Sequence, residues 1–138
     1  MSDKLVAAAI AAAKHAYAPY SNFHVGAALL LDTGEIVTGA NFENASYGMT
    51  LCAETVAIAK ANSDGQLRQI VAIAVAGGPE GRIGAAPITP CGRCRQVIKE
   101  VADETGIDLP VHCAHASGYD THLLSKLLPH GFGPASLK

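Results

Sequence analysis

The chain has 138 residues, of which 49% are hydrophobic, and a net charge of −2. This size and composition suit one domain with a full core, so we expect a single domain over residues 1–138. Its ten Lys and Arg residues are scattered, which argues against a nucleic-acid polymer as partner. No apolar run approaches the ~20 residues of a membrane span, and the N-terminus does not resemble a secretory signal. The predicted location is the cytoplasm.

The first half of the chain predicts a helix, a hairpin and a second helix. Strong helix formers with one apolar face predict a helix over Asp3–Ala16. The segments Val25–Leu31 and Glu35–Ala40 flank a short glycine-containing turn and predict two hairpin strands. A 3.6-residue apolar period predicts the second helix over Cys52–Asn62.

The second half alternates between strands and helices. The continuous apolar run Gln69–Ala76 is typical of a strand buried on both faces. Three prolines and four glycines predict a loop over Gly77–Pro90. We then expect a helix over Cys91–Asp103, a buried strand over Leu109–Ala114 and a short last helix over Thr121–Leu128. The mixture predicts an α/β fold layered on a mixed sheet.

Three cysteines lie at two predicted helix starts. Cys52 opens the second helix, and Cys91 and Cys94 open the third with two residues between them. Sulfur ligands favour zinc, and three protein ligands with an open fourth position are typical of a catalytic zinc. Helix N-termini carry about half a positive charge each and lower thiol pKa values. We therefore predict one zinc ion per chain.

Other interpretations of the cysteines exist. A Cys-x-x-Cys pair by itself also occurs in redox and structural sites, and many cysteines are ordinary core residues. We interpret Cys113, in the middle of a predicted strand, as core, and no histidine has the spacing of a ligand. A non-catalytic zinc site that staples two helices is a further alternative, but it leaves Glu54, two residues after Cys52, without a function.

Five motif segments follow one another along nearly the whole chain. They are Ala18–Ala28, Gly39–Tyr47, Cys52–Glu54, Pro90–Gln96 and Leu127–Pro134. Cys-x-Glu followed by Pro-Cys-x-x-Cys is a signature of zinc deaminases, and the five segments together resemble the short, three-cysteine, homotetrameric cytidine deaminases. This resemblance implies a three-layer α/β/α fold with a mixed, roughly five-stranded sheet.

The resemblance also implies the roles of the residues around the metal. Cys52, Cys91 and Cys94 are the expected zinc ligands, with water as the fourth. Glu54 is the expected proton shuttle. The backbone N–H of Ala53 is expected to contact the carbonyl of the base.

Further residues match positions that contact the nucleoside in this family. Asn41 and Glu43 match the pair that hydrogen-bonds the ribose hydroxyl, and Phe23 matches the aromatic beside the pyrimidine. Three residues match positions that reach into a neighbouring subunit's site: Ala45, Tyr47 and Phe132. The resemblance therefore implies a homo-oligomer, expected to be a tetramer, with composite active sites.

The implied reaction is the hydrolytic deamination of cytidine and 2′-deoxycytidine to uridine and 2′-deoxyuridine, with release of ammonia, in pyrimidine salvage.

Two residues depart from the motifs of this family. Thr55 stands where the family commonly has an arginine that hydrogen-bonds the thiolates, and Arg93 fills a position that is usually small.

We interpret Arg93 as the residue that supplies the compensating charge from the other helix start; the alternative is a solvated surface side chain. The same exchange resembles the antibiotic deaminases typified by blasticidin S deaminase. The alternative substrate is therefore a modified cytosine nucleoside or a blasticidin S-like aminonucleoside.

Overall fold

The computed structural model describes all of residues 1–138. The four α-helices are α1 (Ser2–Ala13), α2 (Ala53–Ser63), α3 (Gly92–Thr105) and α4 (Leu124–Leu127). The five strands are β1 (Phe23–Leu31), β2 (Ile36–Ala40), β3 (Ile70–Pro79), β4 (Pro110–His115) and β5 (Gly118–Leu123). None of the helices has the length and apolar character needed to cross a membrane.

The five strands form one mixed sheet in the order β2-β1-β3-β4-β5. β1 is antiparallel to β2 and β3, β3 and β4 are parallel, and β4 and β5 are antiparallel. α1 packs on one face of the sheet, and α2, α3 and α4 pack on the other. The α/β class predicted from the sequence and the five-stranded mixed sheet implied by the family resemblance are confirmed.

Alternation along β1 explains why both faces of the sheet carry helices. Ala28 belongs to the buried cluster that includes Leu5 and Ala9 of α1. The next residue, Leu29, belongs to the cluster on the opposite face, with Ala57 of α2 and Ile98 of α3. Because successive side chains of a strand point to opposite faces, an apolar strand of this kind is stable only between two layers.

The prediction of a helix over Thr121–Leu128 is wrong for its first three residues. Residues 118–123 form β5, which pairs with β4 from His115↔Gly118 to Pro110↔Leu123, and only Leu124–Leu127 is helical. Gly118, at a φ of 150°, lets the chain return directly after β4. Pairing with a neighbouring strand then overrides the local preference, which short segments specify weakly.

Several element boundaries also differ from the prediction, and two of them are larger shifts. α1 ends at Ala13 instead of Ala16. β3 continues to Pro79, through the start of the predicted loop, because its last residues pair with the beginning of β1, where Phe23 lies opposite Pro79. The extension brings β3 to the segment that carries Phe23.

α2 approaches β2 closely at Gly39. A Cβ atom at this position would lie 2.6 Å from the backbone nitrogen of Ala57 and 2.7 Å from the carbonyl oxygen of Ala53. Only a hydrogen fits there, so the position of the start of α2 depends on this glycine. That start carries both Cys52 and Glu54.

We therefore expect Gly39→Ala to destabilise the fold by about 1–3 kcal/mol, the usual cost of overpacking, because α2 must shift away from β2. Thermal unfolding at one fixed protein concentration measures the effect, since assembly changes apparent stability. Gly48→Ala is the control, because a Cβ atom there would meet no other atom within 4 Å. Equal losses in both variants would contradict the close approach at Gly39.

Candidate metal centre and active site

Three cysteine sulfurs meet where α2 and α3 begin. Cys52 and Cys91 are the N-cap residues of these two helices, and Cys94 lies in the first turn of α3. The three Sγ atoms lie within 4.8 Å of one another, and those of Cys52 and Cys91 are 3.8 Å apart. Zinc bound tetrahedrally at ~2.3 Å from each sulfur requires sulfurs about 3.8 Å apart. The cluster is therefore positioned to bind zinc.

The electrostatics of the cluster also favour a cation. Hydrogen bonding with Cys94 lowers the pKa of the Cys52 thiol, and the same interaction raises the pKa of Cys94. All three sulfurs cannot be thiolates at this separation unless a positive ion lies among them. A divalent metal requires its thiol ligands to be deprotonated, and the N-termini of α2 and α3 add positive potential on the same side.

Glu54 lies beside this cluster in the first turn of α2 and is only 4% exposed. Burial raises the pKa of its carboxyl, although hydrogen bonds to its own backbone and to Cys94 oppose the shift. A raised pKa makes a carboxyl better suited to accept a proton and to return it. Ala53 is fully buried and is the first residue of α2; its N–H therefore has no acceptor within the helix.

Thr55 and Arg93, which depart from the family pattern, make different contacts. The hydroxyl oxygen of Thr55 lies 3.5 Å from the sulfur of Cys94. The guanidinium of Arg93 is exposed and donates to the carbonyl of Thr50 at 3.3 Å. The Thr55 contact escaped sequence analysis because 39 residues separate Thr55 from Cys94 and no local pattern signals it.

Asn41 and Glu43 follow the end of β2, and both are nearly buried. The Asn41 side chain binds the backbone of β1: its oxygen accepts the N–H of Val25 at 2.9 Å, and its nitrogen donates to the carbonyl of Phe23 at 3.0 Å. Asn41 thus holds the beginning of β1, where the Phe23 ring is partly exposed. A depression of about 170 Å³ lies beside Phe23 and is also lined by Ile88 and Ala86.

The Glu43 carboxylate is bound by the segment that precedes β1. One oxygen accepts the N–H groups of Tyr20 and Ser21 at 2.9 and 3.2 Å, and the other accepts the hydroxyl of Ser21 at 2.5 Å. The Ser21 hydroxyl holds the pKa of Glu43 below its usual value, although partial burial opposes the shift. Glu43 therefore stays ionised at neutral pH. Sequence analysis did not identify these partners, which lie more than 20 residues away.

Ala45, Tyr47 and Phe132 are all exposed within the single chain, Tyr47 by 75% and Phe132 by 57%. The Tyr47 ring packs on Tyr20, with 5.7 Å between ring centroids. The carbonyl of Phe132 accepts a hydrogen bond of 2.8 Å from the Gln96 side chain of α3. The C-terminal segment is thus attached to the helix that carries Cys94, and its aromatic ring faces solvent.

Arg95, which sequence analysis treated only as part of a motif, holds the loop before α3. Its guanidinium donates to the Pro90 carbonyl at 2.7 Å, to the Thr89 hydroxyl at 2.8 Å and to the Leu127 carbonyl at 2.7 Å. These three bonds join the residue before Cys91 to the end of α4. They fix the direction from which Cys91 enters the cluster.

Comparisons with known proteins agree with this geometry. Residues 1–107 match the family model described as "Cytidine and deoxycytidylate deaminase zinc-binding region". The chain belongs to this family. It is a hydrolase of the cytidine deaminase type, and the cofactor of its Cys52, Cys91 and Cys94 cluster is zinc.

Individual relatives match over nearly their full length. The cytidine deaminase of Halalkalibacterium halodurans is 45% identical over 129 residues, which cover 93% of this chain and 91% of that protein. The cytidine deaminase of Sporosarcina psychrophila is 43% identical over 136 residues, 98% of this chain and 93% of that protein. The crystal structure of cytidine deaminase from Burkholderia pseudomallei superposes with a TM-score of 0.83 at 41% identity, over 96% of this chain and 99% of that chain.

We expect Thr55→Val to weaken zinc binding by about tenfold, the lower end of the usual effect of removing a group that supports a metal ligand. The substitution keeps the shape of the side chain but removes the hydroxyl that contacts Cys94. Competition with a chelator of known affinity measures the change.

Two further variants decide between Thr55 and Arg93. Thr55→Ser keeps the hydroxyl and should bind zinc like the parent. Arg93→Ala tests the compensating charge, and a loss of affinity in that variant alone would show that Arg93, and not Thr55, supports the thiolates.

Proposed function

We propose that the protein hydrolyses cytidine and 2′-deoxycytidine to uridine and 2′-deoxyuridine, with release of ammonia, as a step of pyrimidine salvage. The observation that carries the proposal is the three-sulfur cluster with a buried glutamate beside it, Glu54 being two residues from Cys52. The relatives named cytidine deaminase, at 43–45% identity, support the same substrate class.

The chemistry requires a nucleophile at neutral pH and a proton for the pyrimidine ring. Cys52, Cys91 and Cys94 would hold the zinc ion, which would supply hydroxide by lowering the pKa of a water molecule towards ~7. Glu54 accepts the proton that the water loses and delivers it to ring nitrogen N3, while the oxygen attacks C4. Glu54 then takes the proton of the new hydroxyl on C4 and passes it to the exocyclic amine; the C4–N bond breaks as the C4=O bond forms, and ammonia leaves. Water and cytidine thus give uridine and ammonia.

The nucleoside is positioned by residues that surround the start of β1. We assign Glu43 and Asn41 to the ribose hydroxyl, Phe23 to the face of the pyrimidine, and the N–H of Ala53 to the base carbonyl. The ionised state of Glu43 supports its role, since a carboxylate only accepts hydrogen bonds and a hydroxyl donates one. The Asn41 amide keeps one hydrogen and one lone pair beyond its two bonds to β1.

We propose that active sites are completed in a homotetramer, with Ala45, Tyr47 and Phe132 of each chain reaching a neighbouring site. Large apolar side chains are exposed in one short stretch of this chain: Phe42, Tyr47, Met49 and Leu51. Exposed apolar groups concentrated in this way mark interaction surfaces. Contact with a second copy of the same chain would bury these side chains.

We place the activity in the cytoplasm, on small nucleosides and not on nucleic-acid polymers. None of the four cysteines forms a disulfide, and cysteines stay reduced in the cytosol. The scattered positive charge gives no surface for a phosphate backbone.

The experiment that tests the reaction follows cytidine and 2′-deoxycytidine by ultraviolet absorbance, with metal content determined on the same preparation. We expect both nucleosides to be converted by protein that contains one zinc per chain. Glu54→Gln should keep its zinc but lose at least ~10²-fold in turnover, because the proton carrier is gone. The matched control is Glu104→Gln, since Glu104 pairs with Arg68 on the surface.

Two results would contradict the proposal. Turnover close to the parent's in Glu54→Gln would remove Glu54 from the mechanism. Zinc-loaded parent protein that ignores both nucleosides but deaminates a blasticidin S-like aminonucleoside would shift the substrate to the alternative class.

Composite sites predict that two inactive chains restore each other. Co-expression of Glu54→Gln with Phe132→Ala should give activity well above the average of the separate variants, because mixed tetramers contain sites with Glu54 from one chain and Phe132 from the other. Steady-state turnover of the purified mixture measures this.

The control mixture combines Glu54→Gln with Cys91→Ala. Glu54 and Cys91 both act in the site of their own chain. Every site in the mixture therefore keeps one of the two substitutions, and we expect no recovery. If the Phe132 mixture also shows none, Phe132 does not act on a neighbouring subunit.

A further inference from the structure

The segment before β1 wraps around one carboxylate. Glu43 receives three hydrogen bonds from this segment, two from backbone N–H groups of Tyr20 and Ser21 and one from the Ser21 hydroxyl. Ser21 therefore contacts both oxygens of the carboxylate, one through its backbone and the other through its side chain. Such two-point contact fixes the plane of the carboxylate as well as its position.

The same hydroxyl links Glu43 to β1. The Ser21 oxygen accepts the backbone N–H of Phe23 at 3.0 Å. Because a hydroxyl has a single hydrogen, the bond from Phe23 occupies a lone pair and leaves that hydrogen for Glu43. The result is a chain of bonds from the Phe23 backbone through Ser21 to the carboxylate. It joins the residue assigned to the pyrimidine with the residue assigned to the ribose.

We propose that Ser21 is the positioning residue that makes the enzyme select nucleosides over free bases, by holding the Glu43 carboxylate in register with Phe23. The proposal rests on the proposed function, in which Glu43 binds the ribose hydroxyl. It assigns to Ser21 a role in binding the sugar and none in the chemistry at C4, which belongs to Glu54 and the cysteine cluster.

The count of acceptor sites explains why orientation matters. The oxygen that accepts two N–H groups has both of its lone pairs occupied, and the oxygen bound by the Ser21 hydroxyl keeps one. That remaining site is the one available to a ribose hydroxyl. Without the Ser21 hydroxyl, only one oxygen of the Glu43 carboxylate is still hydrogen-bonded. The carboxylate can then rotate, and its free acceptor site no longer has a fixed orientation.

The Ser21 hydroxyl also stabilises the charged form of the Glu43 carboxyl. This hydroxyl is the largest cause of the lowered pKa of Glu43, with the N–H groups of Tyr20 and Ser21 and the charge of His24 acting in the same direction. Loss of the hydroxyl should therefore move the pKa of Glu43 upward, towards the ordinary value of a glutamate. Carboxyl-carbon NMR of the labelled enzyme measures this change independently of turnover.

The test compares the inhibition constants of uridine and uracil, which differ only by the ribose, in the intact enzyme. We expect Ser21→Ala to raise the inhibition constant of uridine and the KM of cytidine about tenfold, the usual effect of losing a hydrogen bond to a charged group. The inhibition constant of uracil and the kcat for cytidine should stay within about twofold, because loss of binding shared by ground state and transition state changes KM alone. Ser21→Thr keeps the hydroxyl and should restore the parent values.

The chain contains a matched control for this contact. Ser125 binds Asp108 in the same way, with its N–H on one carboxylate oxygen at 3.0 Å and its hydroxyl on the other at 2.5 Å, at the start of α4. Ser125→Ala removes an equivalent bond away from the cysteine cluster and should leave both inhibition constants unchanged. If Ser21→Ala does not fold, Ser21→Cys, which keeps a weaker donor, should give an intermediate loss for uridine.

Glu43→Ala separates failure of this proposal from failure of the proposed function. Loss of the uridine preference in Glu43→Ala, with parent values in Ser21→Ala, overturns the role of Ser21 and leaves the ribose assignment intact. An unchanged preference in Glu43→Ala overturns both. Equal weakening of uridine and uracil in Ser21→Ala also overturns the proposal, because it reports a general loss of structure.

Discussion

Repulsion among three sulfurs held within 4.8 Å of one another is the constraint on which the arrangement of the molecule depends. The fold meets it by bringing two helix N-termini to the same point, so that Cys52 and Cys91 occupy the N-cap positions of α2 and α3. Positive potential from two helices does not neutralise three thiolates, and a divalent cation supplies the remainder. The sheet below sets how closely the helices approach, and at Gly39 only a hydrogen fits between β2 and α2.

The helices α2 and α3 were predicted from the sequence to within two residues of their observed bounds. α2 and α3 begin one residue later than expected, because the cysteines that open them are N-caps and not helical residues. β5 was missed because its residues alternate weakly between exposed and half-buried positions, and its conformation comes from pairing with β4. A strand whose stability comes from a neighbour carries little signal of its own.

The candidate site also has one part that the sequence predicts and another that it does not. The cysteine cluster follows from local spacing, since a Cys-x-x-Cys at one helix start and a Cys-x-Glu at another suffice once two helices converge. The contacts that orient these groups span long distances in sequence, 39 residues between Thr55 and Cys94 and 22 between Ser21 and Glu43. No periodicity or motif spacing specifies such pairs, so they emerge only from the three-dimensional structure.

The groups proposed for catalysis and those proposed for binding are attached to different kinds of structure. Glu54 and the sulfurs lie on helix starts backed by the sheet, where a substitution shifts a whole helix, whereas Glu43 is held by a loop through a few hydrogen bonds. Arg95 and Gln96 then attach the C-terminal segment to α3 through backbone carbonyls, which leaves the Phe132 side chain free of that anchoring. If Ser21 acts as proposed, substrate preference would change through such loop residues while the metal geometry stays fixed, because the two sets of contacts share no side chain.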